Sequence, residues 1–307
     1  MSDPSKHHYI PAFYLRQWAT NGFLCEMRKI RGKVVIRSKA PEGTGYQKDL
    51  YKIEGVPADI AQHFERRFMH MADTEAASAM RKIPAGRHEN WSVKERDAWV
   101  RFILSLVFRT PEAVAAMKKQ IKKISNEGVA SVRENYLACR QPSDPPTADE
   151  FLAKRQSHGP AIRASNFLQK MMNSEVIAND ILSLRWGCIH FMESLHTLLT
   201  SDRPLDMPFG LQSKDSYIIL PIGPRTVFTA TRNPLSLRAF SESDQTNIVR
   251  QINERVVAKA RQYVWGMDDR AHRFVLKHIN SLPDWQWISD RAKELSGHPP
   301  ECDHAEQ

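Results

Sequence analysis

The chain has 307 residues, 41% hydrophobic and 26% charged, and its 44 Lys and Arg against 35 Asp and Glu leave a net charge of +9 at pH 7. That apolar content can bury a full core and excludes a solvated, disordered chain, and the basic balance favours anionic partners through long-range attraction. The longest apolar run, Trp99 to Phe108, is broken by Arg101 and falls well short of the roughly 20 residues that cross a bilayer. The opening Met1-Ser2-Asp3-Pro4 has no basic flank and apolar run, so the cytosol is the expected compartment. Four scattered cysteines, Cys25, Cys139, Cys188 and Cys302, exclude a zinc ribbon and argue against a disulfide framework. There is no Walker loop, no Gly-x-Gly-x-x-Gly and no Gly-x-Ser-x-Gly.

The first eighteen residues pack His7-His8-Tyr9-Ile10-Pro11 against Ala12-Phe13-Tyr14-Leu15-Arg16-Gln17-Trp18. A terminus this aromatic must dock rather than fray. Phe23 to Ile30 and Lys33 to Ser38 alternate as strands about Arg31-Gly32, which reads as a hairpin. Pro41 to Gly45 is a turn-rich loop leading to Tyr46 and Tyr51. From Ala58 to Ile83 the period becomes helical, with Glu75 falling in the apolar stripe, where a carboxylate needs a partner. Ser92 and Glu95 form a capping-box signature ahead of a helix that buries Trp99, Phe102, Ile103 and Leu106 and ends near Arg109. Thr110-Pro111 then either starts a new helix or kinks a continuous one.

Pro111 to Cys139 reads as an amphipathic helix with Lys118, Lys119, Lys122 and Lys123 on one side. Residues 141–148 are the clearest linker, a lobe boundary or a long surface loop. More helix follows to Asn173, interrupted near Gly159-Pro160. Trp186 to Glu193, Thr197 to Thr200, Tyr217 to Leu220 and Thr226 to Thr231 read as short strands punctuated by prolines. The last third returns to helix: Ser241 caps a segment whose Ile252, Val256, Val257, Ala260, Tyr263 and Val264 make an apolar face, and Arg270 to Ile279 adds another. The pattern predicts an α+β protein, with a short, mostly antiparallel sheet built from the N-terminal hairpin and late strands. A helical block at about 58–173 is inserted between β elements, residues 1–296 form one unit, and 297–307 form a disordered tail.

The opening resembles that of domain-of-unknown-function family 4238, a mainly bacterial family whose members begin His-His-Tyr-(Val or Ile)-Pro. Tyr51, Glu65, Arg109-Thr110-Pro111, Ser201-Asp202-Arg203-Pro204, the Pro221 to Pro224 strand end and Asn253 extend the resemblance over roughly residues 6 to 266. The family carries no established activity, so chemistry has to come from the residues. His7 and His8 point to opposite faces of an extended segment: one can act as ligand or general base while the other fixes the docked terminus. Asp202 at a strand end suits acid–base or metal chemistry, or an Asx or Ser turn. Glu65 and Arg109 suit a buried ion pair, and Arg16, Arg109 and Arg203 suit the grip of a phosphate or carboxylate. Asn253, inside an apolar helix face, is expected to satisfy a backbone group.

Two function classes follow. In the first, His7, His8, Glu65 and Asp202 converge as the catalytic set of a metal-assisted phosphoester or nucleic-acid hydrolase, with His8 and Asp202 holding a divalent ion and the four lysines forming a nucleic-acid patch. In the second, the same residues pin the N-terminus in a non-catalytic binding or scaffold protein.

Overall fold

In a computed structural model the described residues are 6–51, 70–82, 91–155, 170, 172–208, 211–233 and 244–282. The fold is α+β, with antiparallel sheets around a central helix. Strand β1 (Lys6–His8) pairs with β4 (Tyr46–Lys48), setting His8 opposite Tyr46. Between them, α1 (Ala12–Leu15) and a 3-10 turn at Arg16–Trp18 lead to the hairpin of β2 (Leu24–Ile30) and β3 (Lys33–Lys39). That hairpin turns as its sequence predicts, with Arg31 and Gly32 both at positive φ, the mirror-image turn that matches strand twist.

Helix α2 (His70–Met80) packs on α3 (Val93–Phe108). The capping box at Ser92 and Glu95 is complete, with both hydrogen bonds formed. Glu75 finds its partners in Lys94 and Arg101 of α3. Helix α3 is the centre of the core: Trp99, Phe102 and Ile103 are buried, and the Trp99 ring meets Phe228 edge-on at 5.4 Å. Thr110 opens a new helix rather than a kink, its hydroxyl accepting the Ala113 N–H, and α4 (Pro111–Cys139) follows. The predicted linker is a surface loop. It is tied back by the Tyr136 hydroxyl donating to the Pro145 carbonyl, and α5 (Ala148–Arg155) returns against α4.

Helix α6 (Glu175–Leu182) leads into β5 (Arg185–His190), which with β8 (Thr226–Thr231) and β7 (Tyr217–Gly223) makes a three-stranded sheet in the order β5-β8-β7. The short β6 (Thr200–Ser201) belongs elsewhere, in a four-stranded sheet ordered β3-β2-β9-β6. Here the structure departs from the sequence reading. Helix α7 (Gln245–Lys259) ends at Ala260, and Tyr263 and Val264 do not extend its face but begin β9 (Tyr263–Gly266). The apolar spacing runs on unbroken from helix into strand, and what ends the helix is a contact from sixty residues upstream, described below. The cap of α7 is Asp244, which accepts the Thr246 N–H; Ser241 lies outside the described residues. Helix α8 (His272–His278) closes the described chain, and the tail at 297–307 lies outside it. Among the described residues no helix is long and apolar enough to cross a membrane.

Candidate functional site

Gly45, at φ +68°, lets its carbonyl accept the N–H groups of both Tyr9 and Ile10 at 3.0 Å. A Cβ there would sit 2.9 Å from the Ile10 carbonyl oxygen, so the close approach requires glycine. The aromatic terminus then docks as expected. The Tyr14 hydroxyl donates to the Pro221 carbonyl and pairs with Thr200, and the Trp18 indole donates to the Leu198 carbonyl.

The two histidines part, as alternation on a strand demands. His7 is buried: its Nδ1 accepts the Tyr51 N–H at 2.9 Å and its ring stacks on that of Tyr51, 5.3 Å between centroids. His8 points the other way, tilted against Tyr46 at 5.6 Å, and its buried Nε2 has no hydrogen-bond partner among the described residues. Burial, with the neighbouring Arg109 charge, pulls the His8 imidazole down to about 4, while the Glu42 backbone and carboxylate pull the other way.

Arg109 is wholly buried. Its Nη1 pairs with Asp73 at 2.9 Å, and its carbonyl accepts the Tyr51 hydroxyl. Among the described residues its Nε and Nη2 meet no acceptor. Glu65, the expected partner, lies outside the described residues. Asp202 is also buried, and both its oxygens are engaged: Oδ1 accepts the Arg261 N–H at 2.8 Å, and Oδ2 the N–H groups of Gln262 and Tyr263 at 2.7 and 3.1 Å. Burial pushes its carboxyl up to about 6, reinforced by the Glu112 charge, against the three N–H donors that favour the carboxylate. This is the contact that ends α7 and launches β9. Beside it, Ser201 forms the Ser turn, accepting the Arg203 N–H while donating to the Val256 carbonyl.

Three of the sequence motifs meet at one cleft of about 160 Å³. It is lined among others by Tyr9 from the opening, Glu112 after Arg-Thr-Pro, Asp202, Tyr46, Gln262 and Tyr263. Tyr46 is shared, touching His8 on one side and the cleft on the other. Arg203, half-buried, pairs with Glu112 at 3.1 Å. Arg16 stands apart at the surface, paired with Glu42. Of the lysines, Lys118 donates to the Leu50 carbonyl, Lys119 is exposed, Lys123 approaches Glu127, and only the backbone of Lys122 is described. Among the described residues no three His, Cys, Asp or Glu side chains gather as a metal site.

Asn253 behaves as expected, its Oδ1 accepting the Leu199 N–H and its Nδ2 donating to the Thr197 carbonyl. Two buried polar sets went unread in the sequence. Trp265 donates to Thr44, which donates to Glu26, and Asp206 binds both Arg255 and Lys259 of α7. Their members lie too far apart in the chain for any spacing to betray them.

No curated protein and no solved structure matches the chain. A family model described as "Protein of unknown function (DUF4238)" matches residues 6–270, which takes in the docked opening, the cleft and the Asp202-anchored strand. Matched over most of its length, from the histidine pair to beyond β9, the chain belongs to that family.

Proposed function

We propose that the protein is a non-catalytic binding protein, whose motif residues frame and brace a small cleft rather than run chemistry in it. The observation that carries this reading is the engagement of Asp202. A carboxylate that accepts three backbone N–H groups at a strand start has most of its acceptor capacity committed to chain geometry, where a metal ligand or general acid–base group keeps an oxygen aimed at its substrate. His7 is spent in the same way on Tyr51. The partner this reading favours is anionic, drawn by the net charge of +9 and by the exposed Lys119 and Lys123 of α4.

The reading as a metal-assisted phosphoester hydrolase stands as the competitor, and one screen separates the two. Thermal unfolding is followed with Mg²⁺, Mn²⁺, Zn²⁺ and a chelator on the natural protein and on His8→Ala and Asp202→Asn. The binding reading expects the melting temperature to ignore the ions in all three proteins. Stabilisation by one ion, lost in both variants, would place His8 and Asp202 at a shared metal and refute it.

A further inference from the structure

The cleft has a composition at odds with the rest of the chain. In a protein with 44 Lys and Arg, it is lined by two carboxylates, three tyrosines, two glutamines and a proline, with no Lys, Arg or His among the described residues on its wall. Two of its polar groups are unmatched. Tyr9 is 4% exposed, yet its hydroxyl bonds to no described residue and feels the charges of Asp202 and Glu112, which share the cleft wall with it. A buried hydroxyl left in this state is costly unless something enters to bond it. Asp202 is the second: its hydrogen bonds come from backbone N–H groups alone, and no cation of the described residues stands at ion-pair distance from it. Arg203, next in sequence, pairs with Glu112, and Arg261, which feels the Asp202 charge, donates to Asn280. Burial of a carboxylate that lacks a counter-ion is what pushes this carboxyl up to about 6.

We infer that the cleft binds a primary ammonium group, whose N–H donors meet the Tyr9 hydroxyl and Glu112 while Asp202 supplies the opposing charge. Glu112 spends Oε2 on Arg203, and its Oε1 has no bond among the described residues. Asp202 uses three of its roughly four lone-pair sites on the backbone, so its part is chiefly electrostatic. Compact donors on one positive nitrogen answer these groups together, and an anion answers none of them. Donors are needed rather than charge alone, because the rings already serve cations of the chain: Lys6 lies over Tyr46 at 5.1 Å and Arg28 over Tyr263 at 5.0 Å. A quaternary ammonium, which has no N–H to give, is therefore a poor fit. A volume of about 160 Å³, roughly five waters' share, holds the head group and a few carbons. A free short-chain amine and a lysine side chain of a protein partner carry the same head group.

This assignment rests on the binding reading and gives its cleft a ligand, while the anionic partner falls to α4. A stabilising metal would refute that reading; silence to metals and amines alike refutes only this site. The test follows thermal unfolding of the full chain at pH 7.5, where an alkylammonium is fully charged, in propylammonium, tetramethylammonium and sodium chlorides of equal ionic strength. Propylammonium is expected to raise the melting temperature by about 2 °C or more over sodium at saturation, and tetramethylammonium to match sodium. Tyr9→Phe deletes a hydroxyl that the fold does not use, so without amine it should melt within about 1 °C of the natural protein and yet lose about half the shift or more. Glu112→Gln, which removes a charge as well as an acceptor, should lose most of it. Nα-acetyl-lysine amide separates the two sources: a shift at least as large as that of propylammonium assigns the site to a lysine of a protein partner, and a smaller one assigns it to a free amine. No response to propylammonium, an equal response to tetramethylammonium, or an undiminished shift in both Tyr9→Phe and Glu112→Gln overturns the site.

Discussion

Replacing Asp202 with alanine removes both acceptor oxygens, and with them three hydrogen bonds, at once. The N–H groups of Arg261, Gln262 and Tyr263 lose bonds of 2.7 to 3.1 Å, and they lie where the chain leaves α7 and enters the sheet. A hydrogen bond to a buried side chain contributes about 1 kcal/mol net, and a donor left dry costs about 1 to 3 kcal/mol. The cleft beside Gln262 and Tyr263 admits water to part of this set, which holds the total near 3 kcal/mol. Asp202→Asn keeps one oxygen for the Gln262 and Tyr263 donors but turns an amide N–H₂ toward that of Arg261, so it falls between the natural protein and alanine. The assay is urea unfolding by fluorescence, with the denaturant dependence checked to be common to all three proteins. A loss below about 0.5 kcal/mol in the alanine variant would refute the bracing role. If such a variant also lost a ligand, Asp202 would pass from brace to binding group.

The buried His8 makes stability depend on pH. Its imidazole is lowered from 6.5 to about 4 in the fold, so between those values the unfolded chain takes up a proton that the folded chain refuses. The His8 contribution to stability is therefore expected to fall by about 2 kcal/mol, after allowance for solvent screening, as the pH drops from 7 to 4.5, read as the difference in slope between the natural protein and His8→Phe, because the raised Asp202 carboxyl works in the opposite direction over the same range. Equal slopes in the two proteins would remove His8 from the account. Gly45→Ala forces a side chain into the left-handed region and into the Ile10 carbonyl, at a cost of about 2 kcal/mol. It should also free the opening strand, read as faster proteolysis after Lys6; an unchanged melting temperature would show that the docking tolerates a Cβ.

Local signals carried much of the fold. Arg31-Gly32 specified the hairpin, Ser92 and Glu95 the start of the central helix, and Thr110-Pro111 the start of the next, each through chemistry within four residues. The reading failed at Tyr263 and Val264, where the apolar period of α7 passes smoothly into β9 and the cause of the break, Asp202, sits far upstream. The site shows the same division. The docked terminus and the backbone role of Asn253 follow from residue type and position. The shared cleft depends on which loops meet, and no spacing along the chain encodes that.

The four-stranded sheet also sets an order on synthesis. The hairpin leaves the ribosome long before the inner neighbour of β2, which is β9, near the far end of the described chain. At about 5–20 residues per second, that strand edge waits on the order of ten seconds or more before it is covered. Its sequence is suited to the wait: Glu26, Arg28 and Lys29 interrupt the apolar residues of β2 and discourage pairing with a stranger. A charge-removing change in this strand would thus act first on the yield of folded protein and only second on its final stability.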